Sequence, residues 1–123
     1  MIYLIDDDEI QNLINTRVIS IVADNIPVQA FTSAESALQK FEDNSEALPE
    51  MIFLDINMPK MNGWDFLDAY IKLENKVRVY MLSSSINSKD IQKSETYDVV
   101  NGFICKPLVV ERLSEILQTE GMV

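Results

Sequence analysis

Met51-Ile52-Phe53-Leu54-Asp55 is a short apolar run that ends in a carboxylate. No polar residue interrupts Met51–Leu54, which suits a parallel strand covered on both faces rather than a half-exposed, alternating one. Outward from it lie four comparable runs, Ile2–Ile5, Val28–Phe31, Val77–Leu82 and Gly102–Cys105. Val28–Phe31 carries Gln29 and is the weakest of them, which places it at a sheet edge.

Between the runs the apolar period becomes helical. Ile10, Leu13, Ile14, Val18 and Ile21 predict one buried face of a first helix. Ala34, Ala37, Leu38 and Phe41 predict a second, with Thr32 and Glu35 in the form of a capping box at its start. Leu67, Tyr70 and Ile71 mark a third after Gly63, and Val109, Leu113, Ile116 and Leu117 a last one. Ser88–Tyr97 has Ile91 as its main apolar anchor and reads as a helix chiefly because two parallel strands need a crossover between them. Strand and helix alternate five times, which specifies an open parallel α/β sheet with helices on both faces. Asn44–Pro49 reads as a polar loop within one domain spanning 1–123.

Composition narrows the chemistry. The chain has 123 residues, 47 % hydrophobic and 24 % charged, the balance of a soluble globular domain. No apolar run approaches a membrane span of roughly 20 residues, and the N-terminus does not read as a signal peptide. Cys105 stands alone, so no internal disulfide forms, which is compatible with a reducing, cytoplasmic setting; it is expected to be an inert buried thiol. There is no histidine, which removes His-dependent catalysis and His metal ligation from the chain. A formal net charge of −10 opposes direct nucleic-acid binding and favours cations or a basic partner face.

In open α/β sheets, ligands bind beyond the carboxyl ends of the strands. The first run ends in Asp6-Asp7-Asp8, the third in Asp55, the fourth in Ser83-Ser84-Ser85 and the fifth in Lys106-Pro107. Asp6, Asp7 and Asp55 in one cleft must shift their pKa values or bind a cation. Oxygen-only donors with open positions suit Mg²⁺. Lys106 adds a point charge suited to a phosphate or an aspartate, and Ser83 a hydroxyl. A carboxylate nucleophile, a divalent metal, a lysine and a hydroxyl together suit phosphoryl transfer. The plain alternative for Asp6-Asp7-Asp8 is a solvated turn and helix N-cap, and Asp8 in particular is left out of the metal set.

Leu-Ile-Asp-Asp-Asp (4–8), Phe-Leu-Asp-Ile-Asn-Met-Pro-Lys-Met-Asn-Gly (53–63), Met-Leu-Ser-Ser (81–84) and Cys-Lys-Pro (105–107) resemble the receiver domain of bacterial two-component response regulators, in particular its stand-alone, chemotaxis-type (CheY-like) members. The resemblance covers essentially the whole chain, and its spacings agree: 48 positions from Asp7 to Asp55, 28 to Ser83 and 23 more to Lys106. It implies a doubly wound (βα)₅ flavodoxin-like sheet in the order 2-1-3-4-5. Asp55 matches the phosphoacceptor, Asp7 the direct metal ligand, and Asp6 the acid that binds metal mostly through water. Asn57 matches the position whose backbone carbonyl ligates the metal. With Ser85 it also matches the positions that tune dephosphorylation. Ser83 and Phe103 match the switch residues, with Ser where Thr is commoner and Phe where Tyr is common. Pro59 and Gly63 match the shaped loop after the acceptor, and Pro107 follows a peptide that is usually cis. Phe103 is equally compatible with a plain core role.

The resemblance implies a signalling switch that catalyses only its own phosphorylation and dephosphorylation. Its donor would be a sensor histidine kinase or phosphotransfer protein, and its output an unidentified downstream protein. A haloacid-dehalogenase-like phosphatase would need an acid where Asn57 stands. A flavodoxin-type flavin carrier would need a phosphate loop where Asp6-Asp7-Asp8 stands. An interaction module without phosphorylation would not need the full acid set.

Overall fold

The computed structural model describes residues 1–43, 47–74, 76–85 and 87–123. The first three residues of the expected loop 44–49 lie outside this set. The elements run β1 (Ile2–Ile5), α1 (Glu9–Val22), β2 (Val28–Phe31), α2 (Ala34–Glu42), β3 (Met51–Asp55), α3 (Gly63–Tyr70), β4 (Arg78–Ser83), α4 (Ser88–Ser94), β5 (Val100–Cys105) and α5 (Val110–Thr119). All four strand pairings are parallel, in the order β2-β1-β3-β4-β5, with β2 at an edge.

The unbroken apolar strands bury both of their faces. Tyr3, Ile5, Ile52, Leu54, Val79 and Met81 meet α2 and α3 on one side. Ile2, Leu4, Met51, Phe53, Tyr80 and Leu82 meet α1 and α5 on the other. Full burial of a side chain such as Phe53 stabilises the fold by about 1.5–3 kcal/mol. The pleat sends alternate side chains to opposite faces, so each strand serves two cores at once.

Helix α1 departs from its sequence pattern. Ile10, Leu13, Ile14 and Ile21 are exposed, Leu13 by 71 %, while Asn12, Asn15 and Ile19 are buried and Val18 only partly so. Two local contacts fix this orientation. Asp8 caps the helix, its carboxylate accepting from the Ile10 and Gln11 amides. Asn12 Nδ2 donates to Asp6 O at 2.9 Å and Phe31 O at 3.3 Å, which turns the asparagine face toward the sheet.

Smaller corrections concern helix ends. The N-cap of α2 is Ser33, accepting from the Ser36 amide, rather than a Thr32–Glu35 box. A capping box does occur at α3, between Asn62 and Asp65. Ile71 and Val109 serve as caps rather than helical core, and both are exposed. Cys105 is exposed, against the expectation of burial. Helix α4 buries only Ser94 within its span. Just beyond it, Tyr97 stacks on Trp64 with ring centroids 6.0 Å apart and donates a hydrogen bond to Asp68. No helix among the described residues is long and apolar enough to cross a membrane.

Candidate functional site: an acidic pocket at the carboxyl ends of the strands

Strand ends place the groups. Asp6 follows β1 and is 1 % exposed, Asp55 is the last residue of β3 and 5 % exposed, and exposed Asp7 follows Asp6. Lys106 follows β5, its amide donating to Ser83 O at 2.7 Å. One oxygen from each of Asp6, Asp7 and Asp55 lies within 4.8 Å of the others. Lys106 Nζ donates to Asp6 Oδ2 at 2.7 Å and stands 3.2 Å from Asp55 Oδ1. These residues, with Asp8, Gln11, Asn57 and Ser84, line an open pocket of about 340 Å³.

The loop after β3 keeps Asp55 at the rim. Ile56 N donates to Leu82 O, extending the β3–β4 ladder, and Gly63 N donates back to Ile56 O at 2.8 Å. A Cβ on Gly63 would stand 2.7 Å from Asp55 O, so only glycine lets α3 begin this close to the strand. Lys60, in the left-handed region at φ 64°, completes the reversal that follows Pro59. The Lys106–Pro107 peptide is cis.

Charge is unbalanced here. Burial, then the neighbouring Asp6 carboxylate, push the Asp55 carboxyl up to about 6; Lys106 opposes this and Asp7 adds to it. Burial also disfavours the Lys106 ammonium. The hydrogen bond to Asp6 and the charges of Asp55 and Asp6 outweigh it and hold the group above its ordinary value. Two unit charges 4.8 Å apart repel by about 3 kcal/mol at an effective dielectric of about 20. One ammonium cannot neutralise three carboxylates. A hard dication beside that ammonium can, and the all-oxygen donor set fits Mg²⁺ or a similar ion.

The structure thus brings together Asp6, Asp7, Asp55, Asn57 and Lys106. Ser83 is adjacent but buried, and its hydroxyl donates to Ser85 O at 2.9 Å rather than lining the pocket. Phe103 is partly buried and packed against the α2–α3 core. Asp8, Gln11 and Ser84 line the pocket without having been singled out for it. Their nearness in sequence to Asp7 and Ser83 was the available signal.

Comparison with known proteins places this geometry. The family model described as "Response regulator receiver domain" matches residues 2–118. The transcriptional regulatory protein DcuR of Shigella flexneri is 32 % identical over 94 % of this chain and 48 % of its own length, so the chain spans about half of that relative. The chemotaxis protein CheY of Listeria monocytogenes is 27 % identical, with 94 % and 93 % of the two chains covered. A solved two-component response regulator from Cytophaga hutchinsonii superposes with a TM-score of 0.88 at 34 % identity, over 97 % of this chain and 94 % of that one.

Proposed function

Because this chain belongs to the response regulator receiver domain family of two-component systems, we propose that it is a Mg²⁺-dependent phosphorylation switch whose acceptor is Asp55. The observation that carries this reading is the convergence of the Asp6, Asp7 and Asp55 carboxylates within 4.8 Å, bridged in part by Lys106. Asp7, Asp55, the carbonyl of Asn57 and, through water, Asp6 would hold the ion. Once bound, the ion supplies positive charge to the oxygens of an incoming phosphoryl group.

The chain's own residues do the rest. A carboxylate oxygen of Asp55 attacks phosphorus in line; the new P–O bond forms as the P–N bond of a partner's phosphohistidine breaks, and the departing imidazole keeps that bond's electron pair. Lys106 holds the equatorial charge. The donor is external because the chain has no histidine. Phosphorylation adds negative charge and strong acceptors at the rim. The Ser83 hydroxyl then exchanges Ser85 O for a phosphoryl oxygen, and Phe103 repacks inward. The α4–β5–α5 face changes its affinity for a downstream protein. Asn57 and Ser85, both polar and uncharged, flank the acyl phosphate and tune its hydrolysis. The chain works in the cytoplasm, where its kinase or phosphotransfer partner presents the phosphohistidine.

Acetyl phosphate with Mg²⁺ tests this directly. Intact-mass measurement is expected to show one added phosphoryl group on the wild type and none on Asp55→Asn. Equal labelling of that variant moves the acceptor elsewhere.

A further inference from the structure

We infer that Asn12 is a positioning residue for the acidic pocket: from inside α1 it fixes the peptide after Asp6 and so sets where Asp7 meets a divalent cation. This rests on the metal-site reading above. Asn12 is 4 % exposed, and its Nδ2 donates to both Asp6 O and Phe31 O. Phe31 O also accepts from the Asp6 amide at 3.0 Å. One side-chain amide therefore joins the ends of β1 and β2 at the point where the ladder stops and the chain turns into Asp6-Asp7-Asp8. The Asp8 amide completes the turn by donating to Asp6 Oδ1 at 2.9 Å. Asp7 sits between these two anchors, so the orientation of the Asp6–Asp7 peptide sets where its carboxylate stands relative to Asp55.

Asn12 Oδ1 is buried without a hydrogen-bond partner among the described residues, and so is Asn15 Oδ1 one turn on. An unpaired buried carbonyl is costly, and an apolar side chain of similar volume removes that cost. Asn15 shares the burial and the unpaired oxygen, but among the described residues it is Asn12 and not Asn15 that hydrogen-bonds Asp6, which makes Asn15 the matched control.

The experiment compares Asn12→Leu and Asn15→Leu with the wild type by calorimetric titration with Mg²⁺ alone and by amide hydrogen exchange of the metal-free protein. Loss of a group that orients a metal ligand typically weakens metal binding 10–100-fold. Asn12→Leu is expected to weaken Mg²⁺ binding by about tenfold or more and to speed exchange of the Asp8 amide. Asn15→Leu is expected to change neither Mg²⁺ affinity nor exchange at Asp8. Should Asn12→Leu fail to fold, Asn12→Ala removes the same amide without added bulk and carries the same expectation. Wild-type Mg²⁺ affinity in the Asn12 variant, or an equal loss in the Asn15 variant, overturns the inference. A wild type that binds no Mg²⁺ overturns the metal-site reading instead; exchange at Asp8 then decides the role of Asn12 by itself.

Discussion

The two ends of the sheet each hold a carboxylate beside a cation, and they are built in opposite ways. At the amino ends of the strands, two acids stand with two cations: Glu50 pairs with the N-terminal ammonium and Glu120 with Arg78. Glu120 Oε2 accepts from Tyr80 Oη at 3.0 Å and Asn101 Nδ2 at 2.7 Å, and its Oε1 stands 3.5 Å from Arg78 Nη1. Each negative charge there has its own cation, and the Glu120 carboxylate has two hydrogen-bond donors besides. At the carboxyl ends, three carboxylates share one ammonium, and two of the three are almost fully buried. The first arrangement ties α5 to β4 and β5. The second is an anionic excess that the fold maintains at a cost, the kind of local conflict that the proposed switch would use.

The contrast can be broken most forcefully at Asp55. Its carboxyl titrates near 6 in the folded protein, against about 3.9 in an unfolded chain. The native state therefore binds the proton more tightly. The Asp55 contribution to metal-free stability falls as pH rises from about 4 to about 6 and levels off above that window. The two-unit difference corresponds to on the order of 3 kcal/mol. Asp55→Asn is expected to recover up to that amount at pH 8, reduced by the contact Lys106 loses, and to flatten the pH dependence. Urea denaturation at several pH values checks this, and a variant less stable than wild type at pH 8 would show that the rim carries no excess charge.

At the other end the sign reverses. Glu120→Ala leaves Tyr80 and Asn101 without their acceptor and is expected to destabilise by about 2 kcal/mol. A neutral outcome in the same assay would erase the distinction between a structural and a reactive carboxylate.

The smallest effect is expected on α1. Leu13 is 71 % exposed, so Leu13→Ser should shift stability by no more than about 0.5 kcal/mol. A loss of several kcal/mol would instead place the apolar stripe of α1 in the core.

That helix also shows where the sequence stops being legible. The strands were readable because buried parallel strands need unbroken apolar runs, and the rim because every run but the edge run Val28–Phe31 leads into a polar rim group. The spacing of Asp7, Asp55, Ser83 and Lys106 followed from the resemblance to receivers. Helix α1 misleads because its apolar stripe is the more hydrophobic face, while its inner face is chosen by the hydrogen bonds of Asn12 to Asp6 and Phe31. Apolar periodicity registers no such bond. The Ser33 cap was missed because Thr32 beside it has the same chemistry, and the Asn62–Asp65 box because it uses neither Ser/Thr nor Glu/Gln. Cys105 is exposed because it lies near the end of edge strand β5, next to the rim.

The account turns on whether the crowded carboxylates need a dication. Titrating the Asp55 carboxyl carbon by ¹³C NMR, with and without Mg²⁺, measures this at the atom concerned. A midpoint near 6 in metal-free protein, falling to or below the ordinary aspartate value of about 4 when Mg²⁺ is added, is the predicted result. An ordinary midpoint that Mg²⁺ does not move would contradict it.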